Sequence, residues 1–393
     1  MMPDPLSLIL SAAALGQAAL CAGLLVAGRT GDDATRPAHR LWLAALFAAL
    51  APLSSGPVSA ALAPALFPLA MGLVLLAAYA LAPLVWLYVI ALTNPAATPA
   101  RPGRWKHALP GLAGASGLIA IVTLPGEDRL EMFVAGTLPD GAHAAGVALW
   151  LFALVLAWNI VSGIYGIAIL RRLGRYRARL RDLYSNTEGR ALYWLSGLIA
   201  VLAAVWVIAV AVLLIDNLLA PLPLPASLGP VMVLSLIAAF ALNGFGQEPG
   251  LPEADAVSEA EADKVADGGK YQKSALGEAQ AARIADKLST AMREQQLFLD
   301  PGLSLQKLSR QIGVAPNLAS QTLNQTLEET FFDYVNRWRV EAALPRIAAG
   351  EDTVLTIALD VGFNTRSTFY TAFKKVTGMT PRACRDAAST ATD

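Results

Sequence analysis

Thr353-Val354-Leu355-Thr356-Ile357-Ala358-Leu359-Asp360-Val361-Gly362-Phe363-Asn364 reads as a local instruction for one short helix and its exit. Thr353 is an N-cap residue type, whose hydroxyl can accept a hydrogen bond from a free amide of the first turn. Val354, Ile357 and Val361 recur at three- and four-residue spacing, so they share one helix face. Gly362 then permits the left-handed backbone that a tight turn between helices needs. The pattern occurs twice. Shifting the chain by 49 residues places Ser304 on Thr353, Leu305 on Val354, Leu308 on Ile357, Ile312 on Val361, Gly313 on Gly362 and Leu327 on Val376. A generic helical bundle with an accidental echo would not match cap, apolar spacing and turn glycine together, so the spacing predicts two helix-turn-helix units.

The flanking sequence fits this reading. Ile284, Leu288 and Met292 share a face of a helix over 278–298, and Asp300-Pro301-Gly302 forces a turn before Ser304 opens a helix through Gln311. Pro316 opens a helix through about Leu327, one longer helix over 331–349 joins the two units, and Thr380-Pro381 opens a last one. Phe363, Phe369 and Phe373 have the spacing of core residues.

The rest of the chain follows a different logic. Of 393 residues 55% are hydrophobic and only 15% charged, which excludes an ordinary soluble globule. Only 24 of the 60 charged side chains lie in residues 1–246. Seven segments there, 6–27, 41–63, 68–92, 108–125, 143–170, 191–215 and 227–246, contain no Lys, Arg, Asp or Glu and are long enough to read as membrane spans. The second and third carry Pro52, Pro57 and Pro83, which a membrane helix tolerates where neighbouring helices supply partners. The first segment lacks a basic leader region and has Leu20 before Cys21, so it reads as a span and not as a cleaved signal.

Thirteen basic residues fall in the loops after spans one, three and five: Arg29, Arg36, Arg40, Arg101, Arg104, Lys106 and the group Arg171, Arg172, Arg175, Arg177, Arg179, Arg181 and Arg190. The N-terminus and the other loops hold only Arg129. This asymmetry predicts an N-terminus outside, a C-terminus in the cytoplasm and a multi-pass protein of a bacterial cytoplasmic (inner) membrane. The Arg cluster at 171–181 reads first as a topology anchor on anionic headgroups, and second as a docking site for the C-terminal domain. Without a span charge, ion-coupled transport and a retinal Schiff base are disfavoured. Gln17, Asn159, Ser162 and Asn243 read as hydrogen-bonding glue between helices, with a ligand pocket as the alternative.

The expected organisation is a seven-span transmembrane domain over 1–246, an acidic flexible linker over 247–277 and a cytosolic domain over 278–389. The fold class is all-α: a seven-helix transmembrane bundle followed by a domain with two helix-turn-helix units. Two cysteines, Cys21 and Cys384, leave no disulfide framework or metal cluster, and three histidines give no His-rich site. No phosphate-cradling glycine loop, zinc-binding His-Glu-x-x-His or nucleophile elbow is present, so neither an enzyme nor a cofactor is expected.

The motifs in the C-terminal quarter resemble a known family. Pro316-Asn317, Phe331-Phe332-Asp333-Tyr334-Val335-Asn336, Ile357-Ala358-Leu359-Asp360-Val361-Gly362-Phe363-Asn364, Phe373-Lys374-Lys375 and Thr377-Gly378-Met379-Thr380-Pro381 are similar to the DNA-binding domain of AraC/XylS-type transcription regulators over about 281–386. Glu328 stands where that family usually has glycine, and Pro345 lies inside the connecting helix; both bear on the angle between the two units. The resemblance implies recognition helices at 315–325 and 365–375. Asn317, Ser320, Gln321 and Asn324 on the first, with Arg366, Ser367, Tyr370 and Thr371 on the second, are the candidate base readers, because Arg can grip guanine and Asn or Gln adenine through paired hydrogen bonds. Lys374, Lys375 and Arg382 are the candidate phosphate contacts. Residues 362–385 hold five basic side chains and no acidic one, against 13 of each sign over 276–393, so attraction to DNA rests on that local patch.

These readings converge on a membrane-embedded, sequence-specific DNA-binding regulator whose spans either sense a signal or only tether the domain to the membrane. The candidate partners are double-stranded promoter DNA, the lipid bilayer, RNA polymerase, a small-molecule ligand and a second copy in a homodimer. The alternative is a membrane receptor or transporter-like protein whose C-terminal helical domain binds other proteins.

Overall fold

The computed structural model describes residues 4–27, 38–94, 104–218, 225–250, 277–350 and 352–390. Among these the chain is all-helical: its only β feature is an isolated bridge between Tyr184 and Ser304. Arg29, Arg36, Arg101 and most of the expected acidic linker lie outside the described residues. The chain divides into two compact units, one made of residues 1–173 and 192–258, the other of 174–191 and 259–393.

The first unit holds α1 (Pro5–Ala27), α2 (Ala38–Leu50), α3 (Ser55–Leu62), α4 (Phe67–Thr93), α5 (Leu109–Thr123), α6 (Gly126–Leu130), most of α7 (Ala142–Leu183), α8 (Tyr193–Leu218) and α9 (Leu228–Gly244). All seven apolar segments are thus helical. Five stretches among the described residues, Pro5–Ala27, Ala38–Leu62, Pro64–Thr93, Ala142–Leu183 and Tyr193–Val212, are long and apolar enough to cross a bilayer. The fourth and seventh segments form shorter helices of 15 and 17 residues.

Proline acts differently in the second and third segments. At Pro52 the chain turns through a 3-10 stretch, Pro52–Ser54, which separates α2 from α3, whereas α4 continues through Pro83. Close approach of α4 and α5 depends on glycine: a Cβ on Gly114 would sit 2.8 Å from the Leu76 Cα, and one on Gly117 2.5 Å from the Leu75 Cδ2. Tyr79 on α4 donates to the Leu154 carbonyl on α7 at 2.7 Å, and Trp158 on α7 donates to the Ala78 carbonyl at 2.9 Å. Asn159 and Asn243, expected to bridge helices, instead donate to the carbonyls of Val155 and Ala239 in the preceding turn of their own helices.

The second unit holds α10 (Glu278–Gln295), α11 (Leu305–Gln311), α12 (Pro316–Gln321), α13 (Phe331–Ala349), α14 (Val354–Asp360), α15 (Arg366–Thr377) and α16 (Pro381–Thr390). Four helices start on a hydroxyl cap, because Ser304, Thr330, Thr353 and Thr365 each accept from the amide three residues on. Gly313 and Gly362 close their turns at φ +63° and +95°.

Two apolar cores lie along α13. Its first half places Phe331, Tyr334 and Val335 among Ile284, Leu288, Met292, Leu308 and Leu323. Its second half places Val340, Ala343 and Ile347 among Ile357, Phe363, Phe369 and Phe373. Pro345 lies inside α13 without ending it. Glu328 adopts φ +56°, the left-handed region glycine takes without penalty.

Candidate nucleic-acid interface

The second helix pair presents its polar face through local packing. In α15, Phe369, Ala372 and Phe373 are buried, which turns Arg366, Ser367, Thr371, Lys374 and Lys375 outward. Arg366 donates to the Tyr370 hydroxyl at 2.9 Å, and its guanidinium lies 4.9 Å from that ring's centroid. The pair is one i,i+4 step apart, so the helix itself holds the guanidinium in place before any ligand arrives. Tyr370, Thr371, Lys374, Lys375 and Thr380 line a shallow concavity beside it. Thr371 back-bonds to the Ser367 carbonyl.

The two lysines differ. Lys375 is paired with Asp333 of α13 at 2.7 Å, whereas Lys374 is exposed in the last turn of α15. Arg382, on α16, is exposed and lies 3.9 Å from Asp386.

The first recognition helix, α12, carries no charged side chain. Asn317 and Asn324 are exposed, and Ser320 and Gln321 are partly so. Their side chains engage one another along the helix: Gln321 donates to Gln325 at 3.0 Å, Asn324 lies 3.4 Å from the Ser320 hydroxyl, and Asn317 accepts from the Leu318 amide. After α12 the helix widens into a π-turn over Thr322–Thr326. Glu329 then takes Arg337 through two bonds of 2.9 and 3.0 Å, which together with the Glu341 contact holds Arg337 well above the usual arginine range.

Arg339, which belongs to the family resemblance through Arg339-Val340-Glu341 although composition and periodicity do not single it out, ties α13 to the segment before the first pair and lies 5.5 Å from the Phe363 ring centroid of the second. Its side chain is 1% exposed. The guanidinium donates to the Phe298 carbonyl at 2.7 Å, the Asp300 carbonyl at 2.7 Å and the Asn336 amide oxygen at 3.4 Å. Burial pulls it down to about 10, which still leaves it cationic at neutral pH. Gly362 approaches the Phe298 carbonyl so closely that a Cβ there would lie 2.7 Å from the Phe298 oxygen, 2.9 Å from the Leu299 oxygen and 3.0 Å from the Arg339 Nε.

Residues 308–387 match the family model described as "Helix-turn-helix domain". The C-terminal region is an AraC-type helix-turn-helix domain. It is 29% identical over 100 residues to an uncharacterized HTH-type transcriptional regulator of Staphylococcus aureus, a match that covers 25% of this chain and 13% of that protein. It is 31% identical over 87 residues to a putative AraC-like transcription regulator of Streptomyces lividans, covering 22% of this chain and 29% of that one. A structure of a protein of unknown function from Listeria innocua is 31% identical, covers 26% of this chain and 95% of its own, and superposes with a TM-score of 0.24. The chain therefore spans under a third of either of these curated relatives, and each match covers a quarter of this chain or less.

Proposed function

We propose that this protein is a membrane-embedded transcription regulator that binds promoter DNA through two helix-turn-helix units. The observation that carries the reading is the outward face of α15, where Arg366 is held by Tyr370 over the basic stretch 362–385, inside a domain matched to transcription regulators. In this reading α12 and α15 enter successive major grooves on one side of the duplex, about 34 Å apart. Asn317, Ser320, Gln321, Asn324, Arg366, Ser367, Tyr370 and Thr371 contact bases; Lys374, Lys375 and Arg382 contact phosphates. Before Lys375 can do so it must exchange Asp333 for a phosphate.

The seven apolar helical segments act as spans, with the N-terminus outside and the DNA-binding domain in the cytoplasm. Support comes from the five helices of spanning length and from the 13 basic residues in alternate loops. A signal received by the bundle alters the DNA-binding domain; a small ligand and a second copy of the chain are the partners this scheme calls for, with RNA polymerase downstream.

Genome-wide DNA crosslinking of the full-length protein beside an Arg366→Ala copy tests the reading. Discrete promoter peaks that vanish in the variant are expected, since a base-gripping arginine contributes about 1–3 kcal/mol at its site. An intact membrane protein without peaks would instead favour a C-terminal module that binds proteins.

A further inference from the structure

The segment after α7 belongs to the same compact unit as the C-terminal domain, although 259–393 lies far along the chain from 174–191. Its attachment has three parts. Leu183 packs against the first apolar core. Ser185, 1% exposed, donates its amide and its hydroxyl to the Leu303 carbonyl at 3.1 and 2.7 Å, and Arg339 reaches its hydroxyl at 3.3 Å. Beyond it, Asn186 accepts from the Glu188 amide at 2.9 Å in an Asx turn, Gly189 takes φ +70°, and Arg190 lies over the Tyr184 ring at 4.5 Å.

That turn presents one carboxylate. Glu188 Oε1 accepts from both Thr365 Oγ1, the N-cap hydroxyl of α15, and Thr368 Oγ1 in its first turn. A helix start with unpaired amides favours an anion. It is also the end of a recognition helix that meets DNA.

We propose that residues 183–190 form an intramolecular strap that docks on the DNA-binding domain and, through Glu188, occupies the start of α15 in place of a DNA phosphate. The inference rests on the DNA-binding reading given above. Glu188 and a backbone phosphate are both anions and cannot share these donors, so DNA binding by the second unit requires the strap to release α15. Because the strap continues directly from α7, the same covalent segment that ends the fifth apolar helix controls access to the reading helix. The docking also gives the loop after the fifth apolar segment a use beyond setting topology.

The test uses the full-length chain in lipid nanodiscs and a random-sequence duplex pool as the probe. Glu188→Gln is expected to tighten binding on the order of fivefold or more, in the range of ordinary intramolecular coupling, while Glu278→Gln, the same charge change at an exposed position at the start of α10, leaves it within about twofold as a surface charge should. In a Cys21→Ala, Cys384→Ser background, Glu188→Cys with Thr368→Cys joined by a short reducible bis-thiosulfonate is expected to lose DNA and regain it on reduction. Equal responses of Glu188→Gln and Glu278→Gln, or a crosslinked form that binds DNA like the reduced one, would overturn the strap. If Arg366→Ala abolishes binding while the strap variants behave like the parent, only the strap is lost. If no form of the intact protein retains DNA, the DNA-binding reading falls and the strap falls with it.

Discussion

Arg339 Nη2 lies 3.3 Å from the Ser185 hydroxyl, a contact between residues 154 positions apart, and the same nitrogen donates to the Asp300 carbonyl at 2.7 Å. One buried cation therefore satisfies the chain before α11, the connecting helix α13 and the segment after α7. A charge this deeply buried is tolerated only because oxygen acceptors surround it, and removing the cation would take away the donor that those acceptors share.

Arg339→Ala is accordingly expected to destabilise the C-terminal unit by about 3–5 kcal/mol, the cost of breaking a buried charged network. Arg339→Lys should recover only part of this, because one ammonium cannot reach acceptors arranged for a planar fork. Amide hydrogen exchange of the full-length protein checks both: the expected loss of protection covers α10, α11, α13 and α14, and leaves α4 and α5 unchanged.

Two turn glycines that look alike in the sequence should respond differently. Gly313 has open space where a Cβ would go, so Gly313→Ala carries only the left-handed penalty of about 1–2 kcal/mol. At Gly362 a Cβ would also strike the Phe298 and Leu299 carbonyl oxygens at 2.7 and 2.9 Å, adding a further ~1–3 kcal/mol of overpacking. Thermal unfolding of the two variants side by side should place Gly362→Ala well below Gly313→Ala; equal shifts would contradict the geometry.

Glu328 offers the opposite experiment. Its φ of +56° costs backbone strain, and among the described residues its side chain makes no hydrogen bond or ion pair in return. Glu328→Gly is expected to stabilise the unit by up to about 1 kcal/mol, net of the entropy glycine adds to the unfolded chain. A lower unfolding midpoint in denaturant would refute this.

In the apolar unit, Gly114 lets α5 approach the α4 backbone at Leu76. Gly114→Val is expected to push the two helices apart, lowering the temperature at which the detergent-solubilised protein aggregates, whereas Gly111→Val, at a position with nothing within 4 Å, should leave it unchanged. Size-exclusion recovery after graded heating reads the difference.

DNA contacts should separate by salt. Lys374→Ala is expected to weaken binding about equally on all sequences and to reduce the slope of log affinity against log salt by about one, as for a single phosphate contact. Arg366→Ala should relax base preference at one position. A uniform effect of Arg366→Ala across sequences would move that residue from the base-reading group to the phosphate group.

Much of the C-terminal unit was legible because its determinants are local. A Ser or Thr cap bonds an amide three residues away, and a turn glycine answers to its own φ, so Ser304, Thr353, Gly313 and Gly362 declared themselves in a window of ten residues. Phe331–Ala349 was equally plain, opening beside a Thr cap and closing on Gly350 at φ +68°. The direction of the asparagine hydrogen bonds was not, since Asn159 and Asn243 each have a carbonyl of their own helix within reach and take it before a neighbour's.

By itself, then, the amino-acid order determined which stretches are helical, where the caps and turns fall, which segments are apolar enough for a bilayer and which face of α15 is polar. These depend on neighbours within about one or two turns and on periodicity, which a one-dimensional reading contains. Only the tertiary structure decided that Arg339 is enclosed and not solvated, that Gly362 has no room for a methyl group, and that Ser185 and Glu188 belong with residues 303 and 365. Contacts such as Arg339 to Phe298 and Glu188 to Thr365 join positions 41 and 177 residues apart, where no local spacing carries a signal and the partner is set by how the helices pack.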